Sequence, residues 1–129
     1  MKVVFACVEN SCRSQMAEAL AKKLYPDQGM EFVSAGTRPD ENVNKGVIEV
    51  LKGEGIAWKG HPKDFSEIGE VDLIVTMGCD VECPFFPGVK TVEWDIIDPK
   101  GKDKSEYQKV FEHIKDNVIQ LVEDIIKQK

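Results

Sequence analysis

The sequence alternates between short apolar runs and longer segments with helical periodicity, and this alternation limits the folds that it can adopt. Four runs have the length and β-branched content of strands: residues 2–7, 30–36, 71–77 and 90–95. Three segments carry apolar residues at helical spacing: residues 16–24, 39–55 and 105–129. Strands separated by helices favour parallel pairing through right-handed crossovers. We therefore predict one α/β domain over residues 1–129, with a four-stranded parallel sheet flanked by helices and a flavodoxin-like strand order.

The composition of individual segments predicts their place in this sheet. The run at 71–77 is apolar nearly throughout, which is typical of a central strand covered on both faces. The shorter run at 90–95 is predicted at an edge. We expect the second helix to start near Pro39 and to end at Gly53, and Ser105 to cap the last helix. Ligands of such sheets bind beyond the carboxyl ends of the strands.

Charge and hydropathy exclude several classes of partner. The chain of 129 residues has a formal net charge of −6, which argues against broad binding to nucleic acids or anionic membranes. No apolar run approaches the roughly 18 residues that span a bilayer, and the opening apolar run is too short for the core of a signal peptide. We therefore expect a cytoplasmic protein. Its four cysteines are then expected to be reactive, metal-binding or buried rather than permanently bridged.

The segment CVENSCRS carries the strongest chemical signal. Cys7 ends the first predicted strand, and five residues separate it from Arg13. Such a loop can direct successive backbone N–H groups at one point, and the positive end of the following helix completes an anion site. Arg13 adds a planar fork for two oxygens of a tetrahedral anion, and the same field favours the thiolate form of Cys7. The predicted oxyanion-binding residues are Val8, Glu9, Asn10, Ser11, Cys12, Arg13 and Ser14.

This segment resembles the active-site loop of the low-molecular-weight protein tyrosine phosphatase superfamily, and more closely its thioredoxin-coupled arsenate reductase branch. The resemblance also rests on SAGT after the second strand, on IVTMGC leading to a further cysteine, and on a late Asp-Pro. It implies that Cys7 is the nucleophile, that Arg13 holds the oxyanion and that Asp98 is the general acid. It further implies that Asn10 orders the loop and that Ser14 donates a hydrogen bond to the thiolate.

A second pair of cysteines, Cys79 and Cys83, distinguishes a reductase from a phosphatase. Reduction of arsenate to arsenite needs two electrons, which two thiols supply by forming a disulfide. The resemblance implies that Cys79 attacks Cys7 to release arsenite, and that Cys83 then attacks Cys79. Thioredoxin or a similar thiol donor would reduce the resulting disulfide. We expect no bound cofactor and no metal, and we expect phosphate and sulfate to compete with arsenate.

Two other functions stay open at this point. A phosphatase acting on phosphotyrosine or a small phosphoester needs only the nucleophile and the acid. Related phosphatases usually carry aromatic residues after the Asp-Pro, where this chain has Lys100 and Gly101. A non-catalytic module could instead bind zinc or a metalloid through the thiolates.

Several individual roles are also open. Asp95 is a nearby rival of Asp98 for the role of the acid. Cys12 is predicted to support the loop by packing rather than to react. Glu9 is expected to point outward, because a carboxylate facing the anion would repel it. The spacing of Cys79 and Cys83 leaves open which of them attacks first.

Overall fold

The computed structural model of the protein describes residues 1–77 and 88–128. Its strands are β1 (Lys2–Cys7), β2 (Glu31–Gly36), β3 (Leu73–Met77) and β4 (Lys90–Trp94). Its α-helices are α1 (Arg13–Leu24), α2 (Lys45–Gly53) and α3 (Lys104–Lys127), and a short 3-10 helix covers Phe65–Glu67. None of the described helices has both the length and the apolar character needed to cross a membrane.

The four strands form one parallel sheet in the order β2-β1-β3-β4. In the register, Val4 of β1 lies beside Val33 on one side and Ile74 on the other, and Val75 of β3 lies beside Val92. The predicted parallel sheet is thus confirmed, with β4 at an edge. Because all four strands run in the same direction, the loops that follow them lie at one edge of the sheet.

Alternate side chains of β1 enter two different clusters, as the period of a strand requires. Val3 and Phe5 pack with the buried faces of all three α-helices. Val4 and Ala6 lie on the opposite face, in a cluster that includes Ile68. The short 3-10 helix, which the sequence pattern did not predict, adjoins this second cluster through the partly buried Phe65.

The helix α2 begins later than predicted. Its first residue is Lys45, and Asn44 caps it by accepting a hydrogen bond from Gly46 N–H at 2.8 Å. The predicted start near Pro39 is wrong because the chain before α2 pairs with a distant loop. Arg38 N–H and Asp40 N–H donate to carbonyl oxygens of residues 8 and 9 rather than entering a helical turn.

The cap of α3 also differs from the prediction. Asp103, not Ser105, is the N-cap, since its carboxylate accepts a hydrogen bond from Glu106 N–H at 3.1 Å. The Ser105 hydroxyl instead donates to the same carboxylate at 2.6 Å. The predicted apolar stripe of the helix packs into the core: Val110, Ile114, Val118 and Ile125 are buried, and Leu121 is partly buried against the same cluster.

Candidate active site

The loop between β1 and α1 covers residues 8–12, and the carbonyl oxygens of Val8, Glu9 and Ser11 are turned outward. They accept hydrogen bonds of 2.8 to 2.9 Å from the segment after β2. The three donor and acceptor pairs are Arg38 N–H with Val8, Asp40 N–H with Glu9, and Asn44 N–H with Ser11. The segment between β2 and α2 therefore fixes the backbone of this loop.

The outward carbonyls turn the neighbouring N–H groups inward. In a trans peptide the C=O and the following N–H point in opposite directions, and the described chain contains no cis peptide. The N–H groups of Glu9, Asn10 and Cys12 therefore point away from the segment after β2. Asn10 N–H donates to Cys7 Sγ at 3.2 Å, which is the arrangement that an anion nest requires.

Gly36 ends β2 directly against this loop. A Cβ atom at this position would lie 2.5 Å from Val8 O and 2.9 Å from Asn10 N. Both contacts are with backbone atoms that already form hydrogen bonds, so they cannot yield unless the loop moves. The close approach of β2 to the loop thus depends on a residue without a side chain.

The orientation of the Asn10 amide determines the hydrogen bond to Cys7. Asn10 is fully buried at φ +51°, and its Oδ1 accepts a bond from Lys63 N–H at 2.9 Å. A backbone N–H can only donate, so the other end of the amide must be Nδ2, and it donates to Ser14 Oγ at 2.8 Å. When Cys7 is a thiolate it has no proton to give, so the Ser14 hydroxyl is then the donor to Cys7 Sγ, 2.8 Å away.

The sequence analysis missed the residues that hold Asn10 in place. Gln15 is fully buried, and its Nε2 donates to Asn10 O at 3.0 Å and to His61 O at 3.1 Å. Its Oε1 accepts a bond from Trp58 Nε1 at 2.8 Å. The signal that indicates such a role is a polar amide among the buried alanines of α1. No comparable signal marks Lys63, which acts through its backbone.

Arg13 and Asp98 form the opposite wall. The Arg13 side chain is only 12% exposed, and its Nη1 donates to Ile96 O at 2.7 Å. Its Nη2 lies 3.6 Å from Asp98 Oδ2. Arg13 Nε is buried without a hydrogen-bond partner among the described residues. Of the two candidate acids, Asp98 lines the described pocket and Asp95 does not.

Lys100 joins three loops at the rim. Its Nζ lies 2.8 and 3.0 Å from the two carboxylate oxygens of Glu9 and 3.8 Å from Asp40. The hydrogen bond and charge of Glu9, with the charge of Asp40, raise the pKa of Lys100 above its ordinary value. The carboxylate of Glu9 is therefore directed at an ammonium group.

Cys12 differs from Cys7 in its surroundings. Burial, followed by the charges of Asp98 and Cys7, raises the pKa of the Cys12 thiol from 9.0 to about 12. Cys12 is therefore a neutral thiol near pH 7. A thiol in this form is a poor nucleophile.

These residues enclose a pocket of about 190 Å³. Its lining consists of Cys7, Val8, Glu9, Ser11, Cys12, Arg13, Asp98 and Lys100. Asn10 and Ser14 contact the sulfur of Cys7 and do not line the pocket. A larger depression of about 280 Å³ lies between β4 and α3, but its described lining contains neither a thiol nor an arginine. Cys79 and Cys83 lie outside the described residues.

Comparison with known proteins gives consistent matches over nearly the whole chain. The profile of the family described as low molecular weight phosphotyrosine protein phosphatase matches residues 2–129. A protein of Staphylococcus aureus (strain Newman), named arsenate reductase, is 40% identical over 119 residues, which cover 88% of this chain and 89% of the relative.

Two solved structures share the fold. The thioredoxin-dependent arsenate reductase Cg_ArsC1' of Corynebacterium glutamicum superposes with a TM-score of 0.82 at 31% identity. The match covers 99% of this chain but only 63% of that longer one. The YwlE arginine phosphatase of Geobacillus stearothermophilus superposes with a TM-score of 0.86 at 25% identity, over 98% of this chain and 94% of that one.

Proposed function

Because this chain belongs to the low-molecular-weight phosphotyrosine protein phosphatase family, we propose that it is an arsenate reductase that uses its own cysteines as reductant. The observation that carries the proposal is the pair of hydrogen bonds aimed at Cys7 Sγ from Asn10 N–H and the Ser14 hydroxyl. They lie beside an anion pocket that includes Arg13. The relatives named arsenate reductase favour arsenate as that anion.

In the first step the Cys7 thiolate attacks arsenic and one arsenate oxygen leaves. The inward N–H groups of the loop and the guanidinium of Arg13 hold the remaining oxygens. Asp98 gives its proton to the leaving hydroxyl of arsenate, which departs as water. An S–As bond forms and an As–O bond breaks, so arsenic is still As(V) at this stage.

Electron transfer follows through the other two cysteines. The Cys79 thiolate attacks Cys7 Sγ, an S–S bond forms, and the electron pair of the S–As bond stays on arsenic, which leaves as arsenite. Cys83 then attacks Cys79, which frees Cys7 and leaves a disulfide between Cys79 and Cys83. One arsenate and two thiols thus give one arsenite, one disulfide and one water.

An external dithiol must restore the Cys79 and Cys83 thiols. We propose a thioredoxin-like protein for this step, because a structural relative is described as thioredoxin-dependent. The relay requires thiols that are kept reduced, which fits the cytoplasmic location predicted from the sequence. The proposed steps use backbone N–H groups and side chains of this chain and involve no bound cofactor or metal.

The test is arsenate-dependent consumption of reducing equivalents in the presence of thioredoxin and its reductase. We expect turnover for the natural chain and none for Cys7→Ser, because an alcohol without an adjacent base is a weak nucleophile. Phosphate and sulfate should inhibit by competition. Turnover that survives in Cys7→Ser, or a natural chain that consumes no reductant with arsenate, would contradict the proposal.

Phosphatase activity is the second candidate. It is favoured by the similarity to an arginine phosphatase and by a first step that phosphate esters share with arsenate. Hydrolysis of a chromogenic phosphate ester that exceeds arsenate reduction in catalytic efficiency would make it the main function. A parallel zinc titration tests the non-catalytic alternative, for which tight binding by the thiolates would be required.

A further inference from the structure

The rim of the anion pocket contains an ion cluster that the reduction mechanism does not use. Lys100 follows β4, Glu9 belongs to the loop after β1, and Asp40 lies in the segment after β2. The ammonium of Lys100 bonds to both carboxylate oxygens of Glu9 and lies near that of Asp40. Three loops that are distant in sequence therefore meet at one cation beside the pocket.

The first effect of this cluster is electrostatic. Glu9 lines the pocket, and an unpaired carboxylate there would repel an incoming dianion. The ammonium of Lys100 compensates that charge. Because the side chains of Lys100 and Glu9 are 41% and 43% exposed, solvent screens the pair and its effect on anion affinity should be moderate.

The second effect concerns the space that a substrate can occupy. The attacking sulfur and the leaving oxygen lie on opposite sides of the reacting atom, and the leaving oxygen is the one that Asp98 protonates. In a phosphoester this oxygen carries the organic group. That group must therefore emerge beside Asp98, whose Oδ1 accepts a hydrogen bond from Lys100 N–H at 3.0 Å.

The side chain of Lys100 crosses from this position to Glu9 on another loop. An organic substituent would meet the ion pair, whereas the leaving oxygen of free arsenate or phosphate carries no substituent. The described lining of the pocket also contains no aromatic side chain against which an aryl group could stack.

We propose that Lys100 sets the substrate class of this site, because it neutralises Glu9 and closes the rim beside Asp98. The pocket then favours a free tetrahedral oxyanion over a phosphoester. The inference rests on the proposed function, because it explains why the site would accept arsenate in preference to a phosphoester. It concerns anion binding alone, so it can be tested without any reduction step.

The experiment measures protection of Cys7 from iodoacetamide by inorganic phosphate and by phenyl phosphate, with alkylation of the Cys7 peptide quantified by mass spectrometry. The variants are Lys100→Ala, which removes both charge and length, and Lys100→Met, which keeps the length and removes the charge. Lys102→Ala is the matched control, because Lys102 lies on the same loop but lines a separate depression with Lys45 and Tyr107.

In the natural chain phosphate should protect at a lower concentration than phenyl phosphate. Both Lys100 variants should need about two- to fivefold more phosphate, as expected for loss of a screened ion pair. Phenyl phosphate loses the same charge compensation in both variants, so Lys100→Ala should need less phenyl phosphate than Lys100→Met, since only the alanine variant opens the rim. Adding Glu9→Gln to either variant should restore protection by phosphate, and Lys102→Ala should behave like the natural chain.

Unchanged protection by both anions in Lys100→Ala would overturn the inference. An equal loss of phosphate protection in Lys102→Ala would also overturn it, because the effect would then depend on the net charge of the protein and not on the position of Lys100. Failure of Glu9→Gln to restore phosphate binding would refute charge compensation. If the protection pattern holds while arsenate reduction is absent, the proposed function fails and the inference stands. If arsenate is reduced but the Lys100 variants protect Cys7 as the natural chain does, the inference fails and the proposed function stands.

Discussion

Cys12 lines the same pocket as Cys7, and burial raises the pKa of its thiol from 9.0 to about 12. A folded-state pKa above the unfolded value means that the native state keeps its proton while the unfolded state loses it. The stabilising contribution is then complete below pH 9 and is lost as pH rises from about 9 towards 12. Titration of Cys12 should therefore lower the free energy of unfolding as pH rises above about 9.

We predict that Cys12→Ala reduces this alkaline loss of stability. In the natural chain the contribution should fall by up to about 1.4 kcal/mol per pH unit above pH 9, whereas alanine has no proton to lose. The free energy of unfolding, measured in urea at pH 8 and pH 10 for both proteins, checks this. Other groups that titrate in this range are common to both proteins, so a difference that is the same at the two pH values would contradict the prediction.

A second prediction at this scale concerns Ser14. Its hydroxyl lies 2.8 Å from Cys7 Sγ and is the donor when Cys7 is a thiolate, which can only accept. Ser14→Ala should lower kcat/KM for arsenate about ten- to a hundredfold, the expected loss for one hydrogen bond to a charged group. Ser66→Ala, on the short 3-10 helix, is the control and should retain full activity. Equal rates for Ser14→Ala and the natural chain would show that this hydroxyl does not assist the thiolate.

At the scale of elements, β2 and the loop after β1 are so close that Gly36 admits no side chain. Gly36→Ala would place a Cβ atom 2.5 Å from Val8 O, so we expect the loop to shift and anion protection of Cys7 to be lost. Stability should fall by about 1–3 kcal/mol, as for other overpacked sites. Phosphate protection assays and urea unfolding measure the two effects.

Gly53→Ala is the matched control for that substitution. Gly53 is the last residue of α2, and a Cβ atom there would meet nothing within 4 Å. Alanine also favours helix over glycine by up to about 1 kcal/mol, so this variant should be as stable as the natural chain or more so. If the two variants behaved alike, the close contact at Gly36 would not be what holds the loop.

Periodicity was sufficient to predict the strands and the buried stripe of α3, because both patterns arise from local spacing along the chain. The start of α2 was not predictable in this way. Its position depends on Arg38 N–H pairing with Val8 O, a contact between segments that no local pattern connects. The same holds for Lys100, whose role depends on Glu9 lying opposite it in space.

In the candidate site, too, local motifs were predictable and contacts between distant segments were not. The spacing of Cys7 and Arg13 predicted an anion loop, because the five residues between them are contiguous in sequence and can direct their N–H groups at one point. The support of Asn10 by Gln15 and Lys63 involves a buried amide and a backbone N–H, neither of which has a sequence signature that specifies its partner.

For the molecule as a whole, the decisive prediction concerns Cys79 and Cys83. Each of Cys79→Ser and Cys83→Ser should stop multiple turnover of arsenate, because the relay needs both thiols. Slow hydrolysis of a phosphate ester should continue in both, since it needs only the pocket around Cys7. Coupled assays with thioredoxin and with a chromogenic ester measure the two activities side by side.

The two variants should differ in a single turnover. Cys83→Ser should release one arsenite per chain and stop with Cys7 bridged to Cys79, while Cys79→Ser should release little. Peptide mapping identifies the bridge, and a link between Cys7 and Cys83 would reverse the order of attack. Steady turnover in the double variant would show that an external thiol resolves Cys7.

The outward carbonyls of residues 8, 9 and 11 have a consequence for how such a protein can evolve. The proposed anion site uses main-chain N–H groups of this loop, which substitutions confined to the rim leave in place. The rim, by contrast, consists of side chains such as Lys100 that a single codon change can replace. A lineage can therefore exchange one oxyanion chemistry for another by substitutions at the rim, without passing through a form that has lost its anion site.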